Sequence, residues 1–214
     1  MDGNGRWAAE RGKERVFGHF EGVESVRAIT EACVEYGIKY LSLFAFSEEN
    51  WERPKPEVEA LMKLMLSSMQ KEESTFMKNG VKFVVLGNRS RLSEGLNAAI
   101  ESLMRSTAAN DTLTMVIFLS YSGKWDIQQA ALAMARDGAE DLEPYLVTAG
   151  IPDPDLIIRT SGEKRISNFL LWQAAYSEFV FTPTLWPDFR KESFREALEE
   201  YSSRERRFGK VNSK

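Results

Sequence analysis

Leu113-Thr114-Met115-Val116-Ile117-Phe118-Leu119, running at once into Ser120-Tyr121-Ser122-Gly123-Lys124, is the stretch that decides the fold class. A nearly unbroken apolar run of this length is the pattern of a strand covered on both faces, as in a parallel sheet. The same sequence of apolar run and polar group recurs on either side. Residues 38–46 lead into Ser47-Glu48-Glu49-Asn50-Trp51-Glu52-Arg53, and 156–158 lead into Arg159-Thr160-Ser161-Gly162. Runs 81–86 and 179–181 read as two further strands. Between them lie amphipathic stretches with helical spacing. One covers 22–36 and stops at Gly37. A second starts at Pro54 and Pro56, turns Val58, Leu61, Met62, Met65 and Met69 inward, and ends near Asn79-Gly80. Others cover 93–106, 125–136 and 191–207. The alternation predicts a single α/β domain over 1–214, with a mainly parallel central sheet flanked by helices. In such sheets ligands bind beyond the carboxyl ends of the strands, which is where the polar groups fall.

The bulk numbers fit one ordinary domain. The chain has 214 residues, 43% hydrophobic and 28% charged, with a net charge of -4. That balance offers nothing to nucleic acid. The cluster Arg204-Glu205-Arg206-Arg207 is local and reads as a helix end. Cys33, the single cysteine, excludes an internal disulfide and sits at helical spacing with Val26, Ile29 and Tyr36, as a small buried apolar residue would. No stretch approaches the ~20 apolar residues of a spanning helix and no signal peptide is recognisable, so a cytoplasmic protein is expected.

Two segments carry the chemistry. In Asp2-Gly3-Asn4-Gly5-Arg6-Trp7 the glycines let backbone approach a ligand, the amides of a turn could form an anion nest, and Arg6 adds a permanent positive charge. Asp2 alone would repel a diphosphate, which calls for a cation between them. Magnesium suits, because it takes few carboxylates and completes its shell with phosphate oxygens and water. In Arg159-Thr160-Ser161-Gly162-Glu163-Lys164-Arg165-Ile166-Ser167, arginines and hydroxyls follow a buried strand, a second anion site. Arg15 and His19, spaced i, i+4, share a helix side. Ser47 to Arg53 offers a hydroxyl, carboxylates, an amide, an indole and a guanidinium. Glu178 is a carboxylate among apolar residues, for which a metal or an arginine would serve as partner. Two diphosphate sites brought together suggest chemistry between two diphosphate substrates. A P-loop, a dinucleotide-binding glycine motif, a zinc-spaced cluster and the paired acidic boxes of all-helical prenyl-diphosphate synthases are all missing.

With these residues in view, the chain resembles the cis-prenyltransferase family, that of bacterial undecaprenyl diphosphate synthase. The resemblance rests on Met1-Asp2-Gly3-Asn4-Gly5-Arg6-Trp7-Ala8, Gly18-His19, the 46–54 block around Asn50-Trp51, Tyr121-Ser122-Gly123-Lys124-Trp125-Asp126-Ile127, the 154–163 block, Arg165-Ile166-Ser167-Asn168-Phe169-Leu170-Leu171-Trp172-Gln173, Leu185-Trp186-Pro187-Asp188-Phe189 and Arg204-Glu205-Arg206-Arg207-Phe208-Gly209. It implies a homodimer that extends farnesyl diphosphate with isopentenyl diphosphate units in cis. The product would be undecaprenyl diphosphate, the lipid carrier precursor for cell-wall (peptidoglycan) synthesis. Two alternatives share the signatures: a synthase of shorter cis-prenyl chains, and a non-catalytic partner subunit.

The resemblance also implies roles. Asp2 holds Mg2+, helped by Glu178 across the dimer. Gly3, Asn4, Gly5, Arg6, Trp7, Arg15 and His19 cradle the allylic diphosphate. Arg159, Arg165, Ile166 and Ser167 bind the isopentenyl diphosphate. Asn50 with Ser47 assists proton removal, with diphosphate, Asn50 through water, or Asp2 as acceptor. Glu48, Glu49, Trp51 and Arg53 shape the pocket. An apolar channel is expected from Phe44, Ala45, Leu64, Met65, Met69, Val85, Leu113, Met115 and Ile117, with Leu113 near its far end. The product would leave through peripheral contact with a membrane, without a transmembrane segment. The family places an apolar strand directly before Met1, which this chain is expected to lack. Segment 136–141 is also shorter than the usual connection, and Ser122 and Lys124 stand where glycine and arginine are common.

Overall fold

In the computed structural model, which describes residues 1–205, β3 (Leu113–Tyr121) is the central strand. Every one of its residues except Thr114 is buried. It pairs in parallel with β1 (Tyr40–Ser47) on one side and β2 (Val81–Leu86) on the other. Alternation along β3 serves two layers. Leu113, Met115, Ile117 and Leu119 join a large core with Ile29, Leu43, Phe83, Trp186 and Phe189. Val116, Phe118 and Tyr121 face a smaller cluster that includes Leu170.

The helices are α1 (Asn4–Glu10), α2 (Arg15–Glu35), α3 (Lys55–Asn79), α4 (Glu94–Ser106), α5 (Gly123–Asp137) and α6 (Lys191–Ser202). Local signals set their ends. Ser93 and Ser122 cap α4 and α5 by accepting the N–H groups of Leu96 and Trp125. Gly80 and Gly138 close α3 and α5 in the left-handed conformation. No helix among the described residues is long and apolar enough to cross a membrane.

Three differences from the sequence reading bear on the site. The first is at the start of the chain, where α1 replaces the expected glycine turn. Gly3 is its N-terminal boundary, at φ 102, a backbone setting that only glycine adopts freely. Helix α1 packs tightly on α2, because a Cβ on Gly18 would stand 1.8 Å from the Asn4 carbonyl oxygen. The second concerns the sheet, which comes as two parallel pieces. β4 (Leu156–Arg159) pairs only with β5 (Glu178–Phe181), and β1 only with β3, among the described residues. Both free edges line one cavity, and the chain start lies beside it: the Asp2 N–H donates to Thr160 Oγ1 at 2.8 Å and the Trp186 N–H to the Asp2 carbonyl at 2.9 Å. The third is at the other end. Helix α6 finishes at Ser202, and Arg206, Arg207, Phe208 and Gly209 of the basic motif lie outside the described residues.

Candidate active site

Two strand ends, those of β4 and β1, meet the start of the chain at one mouth. At the end of β4, Arg159 is largely enclosed, with 16% of its side chain exposed. Its guanidinium donates to Asp2 Oδ2 at 3.0 Å, to Ser167 Oγ at 2.7 Å and to the Arg165 carbonyl. The loop it organises is strained. Ser161 (φ 74), Ser167 (φ 49), Asn168 (φ 63) and Leu170 (φ 48) all occupy the left-handed region. Such settings persist only where the surroundings enforce them, and they gather at functional sites. Phe169 anchors the loop by stacking on Phe44, with ring centroids 4.6 Å apart.

Asp2 sits opposite. Its Oδ1 accepts the Gly3 N–H at 2.7 Å. Burial alone would raise this carboxyl. The hydrogen bonds from Arg159 and Gly3 and the nearby positive charges outweigh it and hold the group below the usual carboxylate range. Arg6 donates to Ser161 Oγ at 2.7 Å and pairs with Glu163 at 3.2 Å, and Arg165 also reaches Glu163. On the other flank, Glu57 lies between Arg15 at 3.6 Å and Arg53 at 3.2 Å. His19 lies in the same wall. Burial, with Arg53 and Arg15 against the weaker pull of Glu57, lowers its pKa to about 4, so it is neutral at pH 7. Its Nε2 is buried and has no hydrogen-bond partner. A bound oxygen would satisfy it.

At the end of β1 the chain makes a tight 3-10 turn, Glu48–Glu52. Ser47 and Asn50 cap it reciprocally, with Asn50 Oδ1 accepting the Ser47 N–H at 3.2 Å.

Below this mouth runs a cavity of about 940 Å³. Of the residues singled out from the sequence, Asp2, Gly3, Asn4, Gly5, Arg6, Arg15, His19, Ser47, Asn50, Arg53, Arg159, Arg165, Ile166 and Ser167 line it. So do Phe44, Ala45, Leu64, Met65, Met69, Met115 and Ile117. Others stand elsewhere. Leu113 and Val85 are buried in the core and do not line the cavity, since they lie in the packed interior between the sheet and its helices. Trp7 is buried, with its indole N–H donating to Asp188 at 2.7 Å and Arg11 over its ring. Trp51 packs on Phe46 and donates to Ser120 Oγ at 2.8 Å, under the Arg91 guanidinium. Glu48 accepts from Ser120 and pairs with Arg91 at 3.6 Å. Glu49 accepts from Asn168 at 2.7 Å. These four hold the loops and do not form the cavity wall. Glu178 begins β5, paired with Leu156 three residues below Arg159, roughly 10 Å down the strand. Its partner is Arg204, at 2.8 Å. One chain therefore does not bring Glu178 and Asp2 to a common ion.

The sequence reading missed Glu57 and Asn168 as site residues and quoted Glu163 and Thr160 without a role. Two glutamates hold four arginines in place at the mouth. The available signal was Glu57 in the first turn of a proline-started helix, one turn from Arg53. For a metal, the described residues contain no group of three or more His, Cys, Asp or Glu side chains able to hold an ion. The donor set is thus Asp2 plus whatever oxygens a ligand brings. Magnesium accepts such a set, with one carboxylate, phosphate oxygens and water.

The comparisons with known proteins agree with this geometry. A prenyltransferase family model, described as "Putative undecaprenyl diphosphate synthase", matches residues 1–209. An isoprenyl transferase of Porphyromonas gingivalis is 50% identical over 99% of this chain and 88% of its own length. One of Chlorobaculum tepidum is 49% identical over 99% and 84%. Among solved structures, lavandulyl diphosphate synthase from Lavandula x intermedia, in complex with dimethylallyl diphosphate, superposes with a TM-score of 0.93 at 34% identity, covering 98% of this chain and 95% of that one. A "probable undecaprenyl diphosphate synthase" from Campylobacter jejuni gives 0.82 at 36% identity, covering 89% and 92%. The chain belongs to the undecaprenyl diphosphate synthase family of prenyltransferases.

Proposed function

We propose that this enzyme condenses isopentenyl diphosphate units in cis onto farnesyl diphosphate, and that its product is undecaprenyl diphosphate, the precursor of the cell-wall lipid carrier. The observation that carries the reading is the shared mouth. Two arginine-rich anion sites, one on α1 and α2 and one on the loop after β4, open onto a single cavity with an apolar wall. A donor and an acceptor diphosphate held there would have their hydrocarbon ends side by side, with the growing chain directed into the cavity.

In each cycle the allylic C–O bond breaks and diphosphate leaves. The isopentenyl double bond attacks the allylic carbon, a C–C bond forms, and one proton departs. Arg6, Arg15 and Arg53 stabilise the charge that builds on the leaving diphosphate. The unpartnered Nε2 of His19 gives that group a further contact. Arg165 and Ser167 grip the isopentenyl diphosphate, while Arg159, tied to Asp2 and Ser167, keeps the two sites at fixed separation. Asn50, fixed by Ser47, stands by the reacting carbons to orient the departing proton toward water or diphosphate. Bound Mg2+, held by Asp2, would supply additional charge neutralisation on the diphosphate oxygens. Alignment of two substrates contributes much of the acceleration. A homodimer completes the reading, with Glu178 acting across the subunit boundary. The exposed Trp172 and Tyr176 near β5 support such a contact.

The test is incubation with labelled isopentenyl diphosphate and farnesyl diphosphate, with and without Mg2+, followed by sizing of the lipid. Asp2→Ala is expected to abolish incorporation while the circular dichroism spectrum is kept. Near-normal incorporation by that variant would overturn the role given to Asp2.

A further inference from the structure

Asn168 has no role in the reaction as described so far, yet four hydrogen bonds meet on it. Its side-chain N–H groups donate to Glu49 Oε1 at 2.7 Å and to Ser122 Oγ at 2.6 Å. Its side-chain oxygen accepts the Lys124 N–H at 2.9 Å, and its carbonyl accepts the Gly123 N–H at 2.7 Å. The partners belong to two separate elements. Glu49 lies in the turn after β1, next to Asn50. Ser122, Gly123 and Lys124 start α5 after β3. Asn168 itself directly follows Ser167, whose hydroxyl is held by Arg159.

The backbone at Asn168 is left-handed, at φ 63, between Ser167 at 49 and Leu170 at 48. Asparagine tolerates this region better than most residues, because its short polar side chain can bond locally. The amide is fully used, with both N–H groups and its oxygen engaged. Glu49 is matched to it. Burial alone would raise that carboxyl, but the hydrogen bonds from Asn168, its own backbone and Ser47 bring it below the ordinary value.

We infer that Asn168 is a positioning residue for prenyl transfer: it ties the Arg165–Ser167 segment to the Ser47–Asn50 turn, so that the isopentenyl diphosphate is presented at a fixed distance from the allylic carbon. The inference rests on the diphosphate reading of this site. A loop built from strained residues needs such a tie, and a diphosphate grip whose donors are allowed to shift loses charge-assisted hydrogen bonds to its ligand.

Three variants test it. Asn168→Asp keeps the tolerance for positive φ and the acceptor for Lys124, but sets a carboxylate against Glu49. Asn168→Gly accepts the backbone without strain and removes the amide. Glu49→Gln combined with Asn168→Asp restores a donor facing an acceptor. Both single variants are expected to raise the KM for isopentenyl diphosphate roughly tenfold, the scale of one lost charge-assisted hydrogen bond, with a much smaller change in the KM for farnesyl diphosphate. The double variant is expected to recover most of that loss. An unchanged KM in both single variants, a fall in Tm with unchanged KM in the folded fraction, or a double variant no better than Asn168→Asp would each overturn the role. Failure of the underlying reading is separable, because it appears as absent incorporation by the wild type. Calorimetric binding of inorganic pyrophosphate then tests Asn168 alone, with weaker binding by both single variants expected and equal binding overturning it.

Discussion

His19 shows how one side chain carries the site's electrostatics into stability. Its pKa falls from the ordinary 6.5 to about 4 because burial and two guanidiniums disfavour the imidazolium. Between those values the unfolded chain binds the proton and the folded chain does not. Stability contributed by His19 is therefore present above pH 6.5 and lost as the pH falls toward 4, by up to about 3 kcal/mol. Urea unfolding of ligand-free protein at pH 7.5 and pH 4.5 checks this. His19→Gln is expected to flatten that part of the pH dependence, and an unaltered difference in the variant would contradict the assignment. The sequence placed His19 on the same helix side as Arg15. It named Arg53 for the pocket but did not set it against His19, and it missed Glu57; both come from α3 and its approach and reach His19 only when α2 and α3 pack.

At the scale of elements, the start of α5 is held by a buried carboxylate. Asp126, 1% exposed, accepts from Tyr121 Oη at 3.2 Å, Gln129 Nε2 at 3.1 Å, the Val147 N–H at 2.9 Å and Gln173 Nε2 at 3.3 Å. One side chain thus joins β3, α5, the 145–148 segment and the stretch after the Phe169 anchor. Asp126→Ala would leave several buried donors without partners and is expected to cost about 3 kcal/mol or more in urea unfolding. A loss below about 1 kcal/mol would mean that water replaces the carboxylate. From the sequence, β2 and the starts of α3 and α4 are legible, because apolar runs, prolines and a serine cap act within a few residues. Helix α1 is not. Gly-Asn-Gly reads as a turn, and it becomes helical because Gly18 lets α1 lie against α2. Tertiary packing overrides a weak local preference here.

For the molecule as a whole, the apolar cavity is the feature that bears on product length. Leu64 of α3 lines it, whereas Leu113, named from the sequence as its far end, lies in the core. Leu64→Trp, which narrows the cavity without touching the mouth, is expected to shift the lipid products toward shorter chains with initial incorporation largely preserved. Chromatographic sizing of the labelled products checks this, and an unchanged size distribution would place the growing chain elsewhere. The free edges of β1 and β4 run along the same cavity, so the two sheet pieces and the chain start between them also shape the space available to the chain.

By itself the sequence determined the alternation of strands and helices, the strand ends at which polar residues collect, and the identity of the charged groups at the mouth. Those are consequences of local periodicity and of residue chemistry. Only the tertiary structure decided which of those groups face the cavity and which brace a loop. It turned Trp7, Trp51, Glu48 and Glu49 into supports, moved Glu178 down β5 to Arg204, and joined Asn168 to Glu49, 119 positions away in sequence. The physical reason is that a polar side chain's role depends on which partners remain for it once burial removes water. Those partners are supplied by distant strand ends that only the packed sheet brings together.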